Sequence, residues 1–313
     1  SNYNVAVGYN CGVSVTSGVQ NTIVGGLAGD ALTIGNQNTA LGYGALSTSV
    51  DGDNNTAVGF LALEDYEDGD GDGSNTAIGS ESQRNATTGE FNTSLGHLSM
   101  GTGVVTGDAN VAIGYLAGQD ITSASQNVFV GNDAGKQVTT GSFNVFVGKG
   151  AGDAIVGSQE SVAVGNQSLS SETGAGRNVA VGANTLKLAN KGSGHGLNVA
   201  IGHGAGANVS TGVENTMIGA NAGNDITTGY DNILVGGQAG DALTVGVANT
   251  ALGKDALGTS VDGNFNTALG YKALEDYEDG AGNGHNTAVG ASSQLNATTG
   301  EFNTSLGSLS MGG

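Results

Sequence analysis

Eighteen times along the chain an Asn, replaced once by Ser161, is followed four residues later by Gly, from Asn4 and Gly8 to Asn303 and Gly307. Of the 17 intervals between these anchors, 13 are 17 residues long, one is 18 and three are 20. The residue one place after the anchor is always Val, Thr or Ile, the one three places after is Val, Ile or Leu, and the one seven places after is small. Such a period outranks any single motif. A β-branched residue, a variable one, an aliphatic one and then Gly make a short strand ended by a turn. Seventeen residues cannot hold two helices, and the apolar spacing is 2 rather than 3.6. The pattern therefore predicts an all-β fold, a parallel β-solenoid or β-roll of about 18 coils, each stacked on the last with ladders of identical residues along the axis.

The ladders have physical reasons. Gly42, Gly59, Gly79 and Gly114 suit a turn that needs positive φ or close backbone approach. Asn38, Asn55, Asn75 and Asn110 suit a corner where stacked side-chain amides bond the backbone and each other. Proline is absent, as expected where nearly every amide is bonded to the next coil. At roughly 4.8 Å per coil the stack would be a rod about 80 Å long, and residues 1–313 are expected to form one continuous shaft, part of a longer fibre.

Composition narrows the function. With 59 Gly, no Trp and 5% aromatics, any core is thin and built of small residues. The formal charge of -20 repels phosphate backbones and anionic membrane surfaces, so nucleic acid is not an expected partner. No apolar run of membrane-spanning length occurs, and the first ten residues, SNYNVAVGYN, do not read as a signal peptide. The single Cys11 excludes an intrachain disulfide framework.

Alternation in a strand puts the positions one and three after the anchor on one face and the position between them on the other. If the first face fills the coil, the second should be polar, yet it carries no charge or amide in 18 repeats, and its largest members are Phe129, Phe146, Met217 and Leu234. This reading makes those four an oligomer interface and the protein a homo-oligomer. A monomeric coil wide enough to hold a second sheet is the alternative.

The strands NTAIG (Asn75 to Gly79) and NVAIG (Asn110 to Gly114 and Asn198 to Gly202) resemble the head repeats of trimeric autotransporter (YadA-like) adhesins. The wording NTAxGxxAL, at Asn38 to Leu46 and Asn266 to Leu274, together with TTGxxN, is closer to the arrays of tail-fibre-like proteins. The resemblance covers essentially the whole chain. It implies a left-handed, homotrimeric β-roll in a fibre at the virion surface or outside the cell, engaging a cell-surface receptor. The repeats of adhesin heads are shorter than 17 residues, and no anchor barrel, coiled-coil stalk or chaperone domain is recognisable in the chain.

Enzyme chemistry has little to stand on. His97, His195, His203 and His285 form no HExxH or triad-like pattern. Gly-x-Gly strings such as GKGAGD, Gly148 to Asp153, are in register with the repeat and no Walker sequence follows. Sequons at Asn85 and Asn296 carry no weight without a secretory context. Ice binding would need an unbroken outward Thr array, whereas here Thr alternates with Val at a position assigned to the interior.

The three 20-residue repeats swell at one corner, just before Asn75, Asn198 and Asn286. Loops of this kind are places for receptor or inter-fibre contact. In the first, Asp68, Asp70, Asp72 and Gly73 match positions 1, 3, 5 and 6 of a calcium loop, with Gly79 rather than Glu at position 12. The second has Asp279, Ala281 and Asn283, and the third, around Lys191 and His195, has no acid. Calcium at Asp68, Asp70 and Asp72 is thus set against a solvated acidic bulge. Residues 21–101 and 232–312 repeat one another at an offset of 211, twelve coils, which suggests tandem duplication. The sequence reads as a non-enzymatic structural fibre: first a bacteriophage tail-fibre shaft in host attachment, then a bacterial surface adhesin or extracellular filament subunit, and third a single-chain ice- or glycan-binding solenoid.

Overall fold

The computed structural model describes residues 2–67, 73–189, 194–277, 284–297 and 300–311. It contains two compact units, Ser1–Gly157 and Ser158–Gly313. In the first, nine three-residue strands, from Val5–Val7 to Val145–Val147, each pair in parallel with the next. The register is the one the period demands: Thr39 lies opposite Thr56, Ala40 opposite Ala57 and Leu41 opposite Val58. In the second, nine equivalent strands run from Val162–Val164 to Thr304–Leu306, and a short parallel pair, Ala175–Gly176 with Gly194–His195, sits at the corner leading into a 20-residue coil. The fold is therefore a parallel β-solenoid of 17-residue coils. Among the described residues there is no helix long and apolar enough to cross a membrane.

Bonding between coils does not stop at the strands. Leu46 N donates to Ala62 O at 3.0 Å, Thr48 N to Glu64 O at 3.0 Å and Leu61 N to Tyr43 O at 3.0 Å. With amides engaged on several sides of the coil, a residue lacking N–H would break a bond at many positions, which accounts for the absent proline.

The strand faces are the reverse of the sequence expectation. The middle residue of each strand points into the coil: Ile23, Ala40, Ala57, Phe129, Phe146, Met217 and Leu234 are all at most 1% exposed. The positions on either side of it are half-exposed or exposed, in patterns such as those of Thr39–Leu41 and Thr76–Ile78. Phe129, Phe146, Met217 and Leu234 are thus core residues of a single chain, not an outward oligomer face.

The reason lies eight residues after the anchor, at a position the strand pattern does not include. Where the strand's middle residue is large, that position is Gly: a Cβ on Gly135 would stand 2.6 Å from Phe129 Cδ1, and one on Gly152 2.6 Å from Phe146 Cδ2. Where the middle residue is Ala, as at Ala40, Ala57 and Ala268, the same position is Leu46, Leu63 or Leu274, each fully buried. The two positions share one volume, and close packing forbids both being large; where both are small, as at Ala112 with Gly118 and Ala200 with Gly206, the next coil's Phe129 or Met217 fills the space, at 2.8 Å from a Cβ on either Gly. The invariably small residues seven after the anchor, such as Ala28, Ala45 and Ala134, and a row eleven after it, including Leu32, Ile121 and Ile155, complete the interior.

Candidate interaction faces and the ladders that position them

The Asn side chains form a ladder inside the corner. Asn38 Oδ1 accepts from Asn55 N at 2.9 Å, and Asn55 Oδ1 from Asn75 N at 3.0 Å. The amides return the bond to backbone 14 residues on: Asn38 Nδ2 to Gly52 O at 2.6 Å, Asn75 Nδ2 to Gly89 O at 2.8 Å, Asn110 Nδ2 to Ala124 O at 2.8 Å. Each Asn satisfies a buried N–H and a buried C=O that the turn would otherwise orphan. Gly42, Gly59, Gly79 and Gly114 have φ between 134° and 145°. A Cβ on any of them would collide with the carbonyl of the corresponding Gly in the next coil, so here Gly serves both a conformation and a close approach.

The 20-residue coils interrupt the return bond. Asn55 and Asn266, the anchors that open two of them, leave Nδ2 buried with no partner among the described residues, and so do the nearby hydroxyls of Ser49 and Ser260. Ser49, Glu172 and Ser260 occupy the row eleven after the anchor, in the three coils that precede the 20-residue coils. In the third case the carboxylate supplies the missing acceptor. Asn178 Nδ2 donates to Glu172 Oε2 at 3.2 Å, and Ser158 Oγ donates to Oε1 at 2.6 Å. Glu172 is fully buried, and desolvation pushes its pKa from 4.5 to about 7 against the opposing effect of those two bonds.

Two outward rows are built by the same stacking. One is the pair of strand positions flanking the buried residue: in the first unit Thr22, Thr39, Thr56, Thr76 and Thr93 run beside Val24, Leu41, Val58, Ile78 and Leu95. Leu41 and Leu95 are 46% and 44% exposed. The Thr positions are therefore outward, the reverse of the expectation that counted against ice binding, although Val takes over from Val111 to Val145. The other row, five after the anchor, carries Tyr9, Tyr43, Phe60, His97 and Tyr115 in the first unit. Tyr43 stacks on Phe60 at 5.9 Å between centroids, and His97 lies 5.8 Å from Tyr115.

The residues singled out for chemistry are not brought together. His97 takes its Nδ1 contact from Ser80 O at 3.0 Å, and His285 is stacked between Phe265 and Phe302 on another row. His195 and His203 are exposed, and Cys11 Sγ contacts Ile23 O at 3.0 Å. Asp68, Asp70 and Asp72 lie outside the described residues. Among the described residues no three His, Cys, Asp or Glu side chains gather as a metal site. Sequence reasoning passed over Ser49, Glu172 and Ser260, whose signal was a polar residue in an otherwise apolar row. It also passed over the aromatic row, which the period makes visible once its positions are tabulated by coil. Compared with protein-family models, the chain matches none, and no curated protein is significantly similar to it.

Proposed function

We propose that the chain is a non-enzymatic structural fibre, a bacteriophage tail-fibre shaft that takes part in host attachment at the virion surface and works as a homotrimer. One observation carries this reading: every coil carries Val, Ile or Leu three after the anchor, on the outward side of the strand, so stacking writes a continuous aliphatic stripe along each unit. A stripe of this regularity marks an interface, and identical neighbours in a closed cyclic assembly offer each other identical stripes. The interface therefore consists of Leu41, Val58, Ile78, Leu95 and their counterparts. The wording of the repeats supports the phage setting over a bacterial adhesin or extracellular filament subunit, which would use the same shaft.

Sedimentation at micromolar concentration tests the assembly. A mass three times that of the chain is expected, falling to the monomer mass in a variant carrying Leu41→Lys and Leu95→Lys. A monomer mass for the unaltered chain overturns the homotrimer, and electron microscopy of the native particle tests the fibre. One observation favours a second reading, a single-chain ice-binding solenoid: five successive outward Thr, Thr22 to Thr93, on one face of parallel strands. That reading expects a monomer showing thermal hysteresis, lost on Thr56→Lys.

A further inference from the structure

We propose that the first unit carries a subsite for a neutral hexopyranose of a glycan, in a groove between Tyr43 and Glu64. The groove has a volume of about 390 Å³ and is lined by Leu27, Asp30, Tyr43, Ser47, Leu61 and Glu64 among others. That volume is at the small end of ligand pockets, roughly 300–1,000 Å³. It exists because Gly44 stands between Leu27 and Leu61 on the row six after the anchor. A Cβ on Gly44 would meet Leu61 Cδ2 at 2.5 Å.

The chemistry of the lining selects the ligand. Tyr43 is 54% exposed; one ring face is backed by Phe60, and on the opposite side the row carries Gly26, whose absent side chain would have approached Tyr43 Cδ2 to 3.4 Å. An aromatic face with negative quadrupole is left open to a ring that presents polarised C–H groups. The groove is also lined by two carboxylates, Asp30 and Glu64, by Ser47, and by Thr48, whose hydroxyl donates to Glu64 O at 2.6 Å. Glu64 is held in place by Arg84, whose Nε donates to Oε2 at 2.7 Å. Carboxylates accept strong hydrogen bonds from vicinal hydroxyls. The same acids, in a chain of formal charge -20, repel phosphorylated or acidic sugars. A neutral pyranose satisfies ring, acceptors and charge together.

The internal duplicate is a built-in comparison. At an offset of 211, Asp30, Thr48 and Glu64 recur as Asp241, Thr259 and Glu275, but Tyr43, Gly44 and Leu61 become Lys254, Asp255 and Lys272. There Lys254 Nζ pairs with Asp255 Oδ2 at 2.9 Å and Lys272 Nζ with Glu275 Oε1 at 2.9 Å. The ring of Tyr43 is replaced by a lysine, and the acid equivalent to Glu64 pairs with Lys272, which stands at the Leu61 position lining the groove, whereas Arg84 does not line it. The proposal assigns binding to the first copy only, and it does not depend on the assembly state.

Saturation-transfer NMR with the methyl glycosides of glucose, galactose and mannose tests it on the full chain, at probe concentrations on the order of 10 mM suited to a single-sugar site. Transfer to at least one glycoside is expected, with affinity falling by roughly tenfold or more in Tyr43→Ala and again in Asp30→Asn, and unchanged in Lys254→Ala. Absence of transfer to all three, or transfer indifferent to both Tyr43→Ala and Asp30→Asn, overturns it. Sedimentation of the same samples reads the assembly separately, so failure of the subsite and failure of the fibre reading give different results.

Discussion

Asn178 donates its side-chain amide to Glu172 Oε2 across 3.2 Å inside the second unit, where other coils use a backbone carbonyl. Glu172 has a pKa of about 7 in the folded chain and an ordinary value of 4.5. Below about pH 4.5 both states hold the proton and the group is silent. Between the two values the unfolded chain releases its proton while the folded chain keeps it, so stability falls as pH rises, by roughly 3 kcal/mol in all by pH 7 and above. Glu172→Gln keeps a group able to bond both neighbours and cannot ionise. Denaturant melts should show it more stable than the unaltered chain at pH 8, with the two curves meeting near pH 4. An advantage for the Gln variant that is equal at both pH values would contradict this account.

The Gly ladder and the residue before each anchor make opposite demands. Gly59→Ala places a Cβ against the next coil's carbonyl at a φ of 145°, and should cost more than about 3 kcal/mol or prevent folding. By contrast all 18 residues preceding an anchor, Gln37 and Phe143 among them, have φ between 49° and 64°, and none is Gly. Gln37→Gly relieves left-handed strain of about 1 kcal/mol, less the extra freedom of Gly in the unfolded chain. Its thermal midpoint should not drop and is expected to rise slightly.

Core volume should be transferable within a coil. Phe129→Ala alone opens a cavity costing about 3–5 kcal/mol, and Gly135→Leu alone overpacks against Phe129 Cδ1. The double variant reproduces the arrangement of Ala40 with Leu46, a Leu that holds φ 55°. It should recover most of the loss, giving strong non-additivity in a denaturant cycle. Simple addition of the two costs would refute volume exchange.

Asn110 Oδ1 accepts Asn127 N at 3.1 Å and its Nδ2 donates to Ala124 O at 2.8 Å. Asn110→Ala strands both buried backbone groups and should cost about 2–4 kcal/mol. Asn110→Ser should cost less, since Ser161 already occupies this position and takes Asn178 N at 3.4 Å. Hydrogen exchange at the Asn127 amide gives a local readout of the same effect.

The period, the parallel stacking and the two ladders were legible because each coil repeats the same contacts. The facing of the strand was not. Hydrophobicity placed Val and Leu inside and Ala outside, but Leu46 and Leu63 enter the interior from beyond the turn and leave room only for Ala40 and Ala57. The left-handed row was invisible because Gln, Glu and Phe, not Gly, occupy it; stacking overrides the preference of the single residue. Glu172 was passed over for a related reason: a carboxylate in a polar stretch reads as solvated, and only the position of Asn178 shows what it serves.

Interchangeable rungs raise a problem of counting. A coil that skips its neighbour and docks on the next would form much the same backbone bonds, at the expense of a looped-out segment whose closure entropy grows only slowly with length. Glu172 opposes such a slip: moved on by one coil, its carboxylate would face Asn198, whose amide already donates to Gly212 O at 3.0 Å, and a buried acid short of a donor is costly. Ser49 and Ser260 stand at the equivalent place in the first and second copies of the duplicated segment. These three polar residues punctuate an otherwise apolar row at the three coils that precede the 20-residue ones, so the rungs there are not interchangeable.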